Sequence, residues 1–363
     1  LHRATELRGT PRDVAAPRAD LAGTERAPSD RLRRTELVDF LLRPQRTYLL
    51  VAHGIRLPPQ PRPAPDELAT SLDGLEQWRA TTDLVTAALD EFDDDGDEAW
   101  DDYVEAWAAR PDGVVASLPG RFRALELGGP TGIRAKAADV LAQVRGTIGN
   151  RPVRREHVEV PVAGGTTIVG DVDVVGPSRI VHWTASTNDR RLLVEATIDL
   201  LLLTVAHPET EWHSVRILRK GRRAICPKKS IFAETPDGRR ARAQLALDRL
   251  VELHRLGLAA PIPLFQRVVD KMRTECKHGI AAPPDALIEA GFSAWKPFFV
   301  PGDGDDEAVR YCFDASYEEL AALPVQPGDP EVPFDTGGSQ MVTYSLALLD
   351  GLVELDGEPG GAT

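Results

Sequence analysis

Residues 170–184 carry the groups closest to a hydrolytic site. Gly170-Asp171-Val172-Asp173-Val174-Val175 reads as a strand bearing a carboxylate, Gly176-Pro177 as a tight turn, and Ser178-Arg179-Ile180-Val181-His182-Trp183-Thr184 as a second strand. Converging carboxylates on such a hairpin would hold Mg²⁺, a hard cation that prefers oxygen ligands. With a positive group beside the attacking water, that ion would hydrolyse a phosphodiester. Asp173 alone supplies one ligand, His182 is a poor Mg²⁺ ligand, and Thr184 carries no charge. An ordinary β-hairpin with a solvated Asp accounts for the same fifteen residues, and both accounts stay open on the residues alone.

The layout resembles the core of the PD-(D/E)xK nucleases in their RecB-type form, which runs G-x-x-D, a turn, apolar residues, then D-x-K. Gly170 and Asp173 fit the first half, whereas His182-Trp183-Thr184 stands where the acid and the lysine belong. The resemblance implies a nuclease fold kept as a scaffold, with Asp173, His182 and Thr184 as degenerate positions, no catalytic residue, no metal and no cofactor. Active relatives place a Gln on the next helix, and the nearest counterpart here is Asp199. A working Mg²⁺ nuclease with a displaced site, built from Asp171, Asp173 and a migrated Lys or Glu195, is the competing reading.

A second constellation is basic. Residues 216–229 contain Arg216, Arg219, Lys220, Arg222, Arg223, Lys228 and Lys229 and no acid. Gly221 supports a turn between two strands, so the charges are expected at a hairpin tip. There they would contact DNA phosphates, which positions a duplex without reading its sequence. A solvated turn, or a patch that meets an acidic partner subunit, are the alternatives. Arg239, Arg240 and Arg242 either extend that surface or open a helix against its dipole. Trp295, Phe298 and Phe299 beside Lys296 suit base stacking, or core or subunit-interface packing, which is favoured.

The elements that must position these groups follow from periodicity. Residues 1–30 read as a linker or loose arm. Thr35 is expected to cap a helix with Leu37, Phe40 and Leu41 on one face, Pro44 to end it, and Gly54 to close a second. Prolines 58, 59, 61, 63 and 65 predict a stiff connection. Residues 66–110 read as three helices, around Leu68–Trp78, Leu84–Leu89 and Trp100–Trp107, and the stripe Trp100, Tyr103, Val104, Trp107 as core. A helix over 134–148 precedes strands at 153–163, 166–175 and 178–184, a Leu-rich helix at 190–206, strands at 213–219 and 222–226, and a helix at 241–256. That order suits an α/β fold with a mixed sheet flanked by helices, preceded by a helical region. The expected division is an arm to residue 30, a helical lead-in over 31–125, an inactive nuclease-like domain over 126–350 and a flexible tail over 351–363.

Composition bounds the rest. The chain has 363 residues and a net charge of −13, which argues against DNA binding over the whole surface. The charge is segregated, however: residues 90–102 hold nine acids and no base, the reverse of 216–229. Cys226, Cys276 and Cys312 form no C-x-x-C pair and suit a reducing cytoplasm. No phosphate loop, H-E-x-x-H or G-x-S-x-G motif occurs. The apolar run Ile198–Ala206 falls short of the roughly 20 residues that cross a bilayer. The first residue is Leu1 rather than Met, which we read as a fragment.

Taken in order, four stretches are similar to the C-terminal region of the RecC family: Leu37–Arg46 with Gly54–Leu57, Gly170–Thr184 with the helix after it, Val215–Gly221, and Val300–Asp306. The likeness covers roughly residues 31–350. It implies a non-catalytic DNA-handling and scaffolding part of a RecBCD-type helicase–nuclease (exodeoxyribonuclease V) in double-strand break repair by homologous recombination. The implied partners are double-stranded DNA ends, the separated strands, and RecB-like and RecD-like subunits, with no membrane. The family's degenerate helicase domains are absent, so reading of the Chi sequence is not implied here. A pure interaction module that never touches DNA is the remaining alternative.

Overall fold

A computed structural model of the chain describes residues 30–58, 71–92, 96–111, 113–221, 223–276, 279–296 and 301–355. The expected arm (all but residue 30), most of the proline-rich connection, Leu68, the acids Asp93–Asp95, Arg222, Phe298, Phe299 and the tail from 356 lie outside the described residues.

β1 (Arg31–Arg33) leads straight into α1 (Arg34–Leu42). Thr35 sits inside α1 rather than capping it; at the helix start the Arg33 N–H donates to Glu36 at 3.2 Å. Pro44 is the first residue of α2 (Pro44–His53), where its missing N–H leaves no helical bond unmade. Gly54 closes α2 in the left-handed conformation, φ 64°. The two helices expected around Trp78 and Leu84 are one, α3 (Gly74–Glu91), which Asp73 caps by accepting from the Leu75 and Glu76 amides at 2.8 Å each. α4 (Asp97–Ala108), α5 (Gly120–Leu127) and α6 (Ile133–Ile148) follow.

Next come β2 (Val153–Pro161), β3 (Thr167–Val175), β4 (Arg179–Trp183), α7 (Arg190–Ala206), β5 (His213–Lys220), β6 (Arg223–Ile225) and β7 (Lys228–Lys229). The chain continues through α8 (Pro236–Ala259), α9 (Gln266–Glu275), α10 (Pro284–Trp295), α11 (Glu307–Cys312), α12 (Tyr317–Ala321) and α13 (Gln340–Gly351). The strands make a mixed sheet in the order β1-β3-β4-β5-β6, with β2 on β3 and β7 on β5. β1–β3 and β4–β5 run parallel; β3–β4, β5–β6 and β5–β7 run antiparallel. Among the described residues no helix is long and apolar enough to cross a membrane.

The described parts of residues 1–59, 159–170 and 241–363 form one compact unit, and those of 60–158 and 171–240 the other. They interleave along the chain because β2, β3 and α8 each run from one into the other. The consecutive division expected from the sequence would place its boundary at residue 125 inside α5.

In the second unit, Val215 and Ile217 of β5 join a core with Leu84, Val104, Trp107, Ile133, Val140 and Val144, and Val181 and Trp183 pack against it. Trp100 and Tyr103 also pack there, so the aromatic stripe of α4 is core. The other side of β4 and β5 meets α7, buried nearly all round, and the Ser214 hydroxyl donates to the Ala196 carbonyl at 3.3 Å. In the first unit, Phe40, Tyr48, Leu49 and Phe265 are fully buried. The Gln45 amide ties α2 to the segment before α9 through the Ile262 and Leu264 carbonyls, at 2.9 and 3.0 Å.

Candidate functional site

β3 buries alternate residues: Val172 and Val174 face inward, while Asp171 and Asp173 are exposed. Val174 lies opposite Ile180 on β4. Directly opposed residues share a face, and so do residues two apart on one strand. His182 therefore belongs to the face of Val174 and Ile180, and Asp173 to the other. The two positions on which a degenerate nuclease site would centre are set back to back.

Each has its own partners. Asp173 accepts from Arg155 Nε on β2 at 3.0 Å, both side chains more than half exposed. That hydrogen bond, reinforced by the charge of Asp173, holds the Arg155 guanidinium above its ordinary pKa. Asp171 Oδ1 lies 2.7 Å from His157 Nδ1. Gly170 answers to packing: a Cβ there would lie 2.7 Å from Arg34 Cβ.

On the opposite face, His182 Nε2 lies 2.9 Å from Asp199 Oδ2 of α7. Asp199 is 2 % exposed. The acid that interrupts the Leu-rich helix is thus turned to the histidine. Thr184 Oγ1 accepts from the Ser186 amide at 3.2 Å and from Trp78 Nε1 at 3.4 Å. Glu195, offered for a displaced site, is bound to Arg191 at 2.7 Å one turn back. Among the described residues no group of three or more His, Cys, Asp or Glu is arranged to hold a metal. This donor set does not fit the Mg²⁺ that a PD-(D/E)xK enzyme requires: Asp171 and Asp173 share one face of β3, but no third acid joins them among the described residues, and His182 and Asp199 lie on the other face.

The basic segment also divides. Gly221 turns the β5–β6 hairpin with φ 63°, as its position suggests. Lys220, Arg223 and Lys228 are exposed, and Lys229 is half-buried. Arg216 is directed inward, its side chain 13 % exposed and Nη1 3.5 Å from Asp189 Oδ2. Arg219 donates to the Gly221 carbonyl at 3.1 Å. Burial lowers its pKa, and Asp139 opposes that shift. The reason is that β5 is covered on both faces, by the helical core on the side of Val215 and Ile217 and by α7 on the side of Ser214, so only the residues at its two ends reach solvent freely. One cation went unread in the sequence. Lys136 of α6 donates to Gln77 at 2.9 Å, and burial followed by the nearby charge of Arg219 lowers its pKa.

Arg239 and Arg240 do not extend this surface. They donate to the Pro208 and Val205 carbonyls at 2.8 and 3.1 Å, where α7 ends and cations suit the helix dipole. Trp295 is buried, edge-on to Phe265 at 5.0 Å between ring centroids, which makes it core rather than a stacking platform. Asp303 accepts from the Arg267 and Val268 amides at 2.8 and 3.0 Å, so it caps α9.

With that geometry in place, the chain can be set beside known proteins. A family model described as the RecC C-terminal domain covers residues 29–269. It takes in the hairpin around Asp173, the basic hairpin and α7, and ends ahead of the Val300–Asp306 stretch. No curated protein matches the chain.

Proposed function

The chain belongs to the RecC family, subunits of RecBCD-type helicase–nucleases that act in recombination and DNA repair, and from that premise we propose that it is a non-catalytic DNA-handling and scaffolding part of such a subunit. It serves double-strand break repair by homologous recombination, in the cytoplasm, beside RecB-like and RecD-like subunits. The observation that carries the non-catalytic reading is the placement of Asp173 and His182 on opposite faces of the sheet. A metal bound by one cannot be reached by the other.

DNA contact falls to the exposed part of the basic hairpin. Lys220 and Arg223 flank the turn, and Lys228 lies on β7 beside the same strand, β5. Contacts from such cations to phosphates release counterions and hold a duplex end or a separated strand irrespective of sequence. Arg216 lies beside Asp189 and Arg219 donates to the Gly221 carbonyl, so the outward cations carry the larger share of the contact.

The test is in two arms. The full chain is incubated alone with linear duplex and Mg²⁺ or Mn²⁺, and no cleavage is expected. Cleavage that disappears in Asp173→Ala overturns the non-catalytic assignment. The assembled complex is then titrated onto DNA ends with Lys220, Arg223 and Lys228 reversed to Glu, and weaker, less salt-dependent binding is expected. Unchanged affinity and salt slope would leave a pure interaction module.

A further inference from the structure

α10 and α12 border an open groove of about 520 Å³ in the first unit. Ile288, Phe292, Tyr317 and Ala321 line it, and Glu289 and Glu318 stand at its edge. Its wall is firmly set. The Tyr317 hydroxyl donates to the Ile288 carbonyl at 2.6 Å, and its ring meets Phe292 edge-on at 5.5 Å. Phe292 nevertheless stays 56 % exposed, a large apolar side chain held out to solvent by a buried neighbour.

The charged side chains among the residues that line this apolar strip, Glu289 and Glu318, are both acids. α10 contains Asp285 and Glu289, α12 contains Glu318 and Glu319, and neither helix contains Lys or Arg. Nucleic acid is repelled by such a rim. A small polar ligand would find few donors or acceptors in a wall that is mostly apolar. An apolar anchor bracketed by cations satisfies both features at once: it covers Phe292 and meets the carboxylates.

We propose that this groove docks an amphipathic segment of a partner protein, with one large apolar side chain seated against Phe292 and Lys or Arg residues on either side facing Glu289 and Glu318. The mode is that of a helix laid in a groove, with anchors on one face. It rests on the chain's being one subunit of a larger assembly, and it is separate from DNA contact at the basic hairpin.

The experiment uses the full chain and overlapping synthetic peptides spanning the RecB-like and RecD-like subunits of the same complex. Peptides that bind are expected to carry an apolar residue flanked by Lys or Arg, and to bind less tightly as salt rises. Phe292→Ser and the pair Glu289→Lys, Glu318→Lys should each weaken them by about tenfold or more. The Glu variants alter exposed side chains only, and an unchanged unfolding midpoint verifies that they fold. Three results overturn the proposal: no peptide binds; peptides bind but the variants hold them equally well; or light scattering shows a dimer of this chain that Phe292→Ser dissociates, making a second copy the occupant. DNA-end binding by the same variants within the complex separates the two assignments. A negative peptide screen with normal DNA binding sinks the groove alone.

Discussion

His182 Nε2 and Asp199 Oδ2 meet at 2.9 Å between β4 and α7, with the carboxylate almost wholly out of water. Removing the carboxylate takes from the half-buried His182 a hydrogen bond to a charged group, worth about 1.5–3 kcal/mol. Asp199→Ala should therefore lower the unfolding free energy by roughly 2 kcal/mol in urea titrations. The double replacement His182→Leu, Asp199→Leu should recover much of that loss, because apolar side chains of similar size satisfy the site without charge. A loss below about 0.5 kcal/mol for Asp199→Ala would mean that the pair does not hold the sheet to the helix.

Restoring the missing motif should not restore cutting. His182→Asp with Thr184→Lys rebuilds D-x-K in sequence, yet the new carboxylate lies on the face away from Asp173. Incubation with linear duplex and Mn²⁺ is expected to leave the substrate intact. Product that depends on Asp173 would show that the strands can be re-registered around a metal.

Salt dependence should distinguish the outward from the inward cations of the basic segment. Each phosphate contact contributes about −0.9 to the slope of log K against log salt on duplex DNA. Reversing Lys220, Arg223 and Lys228 together should flatten the slope of the assembled complex by up to roughly 2.7. Arg216→Gln should leave it unchanged, since that guanidinium lies beside Asp189. Equal effects from both would show that burial of Arg216 is lost in the complex.

Acid should weaken the first unit through His254. The ring packs edge-on against Phe40 at 4.9 Å, and burial lowers its pKa from 6.5 to about 4, with Glu36 opposing the shift. As pH falls from about 6.5, the unfolded chain takes up a proton that the folded chain refuses. Stability therefore declines between about 6.5 and 4 and levels off below, by roughly 3 kcal/mol in all. His254→Gln should remove that portion of the slope when urea midpoints are compared across the range with wild type. Parallel curves for the two proteins would rule it out.

Much of this architecture was legible because its signals are local. The α7 boundaries, the Gly221 turn and the left-handed Gly54 follow from periodicity and from what glycine permits. The break at Pro44 follows from a missing amide. What stayed hidden depends on the third dimension. Whether Asp173 and His182 share a face depends on strand register, which fifteen residues do not specify. Arg155, the partner of Asp173, sits eighteen positions away on a neighbouring strand. Charge counting alone could not separate Lys220 from Arg219, because the layer that covers one side of β5 comes from helices far back in the sequence. The three-residue β1 is too short to announce itself, and only its pairing with β3 identifies it.

The passage of β2, β3 and α8 between the two units also sets an order of events at the ribosome. The second unit has all its residues once position 240 has emerged, whereas the first holds residues before 60 and must wait for those from 241 on. Its helices before residue 60 stay without their later neighbours until the residues from 241 on have been made. Nor can any single cut in the coding sequence release either unit whole, so a truncation meant to isolate one would split a strand or a helix of the other.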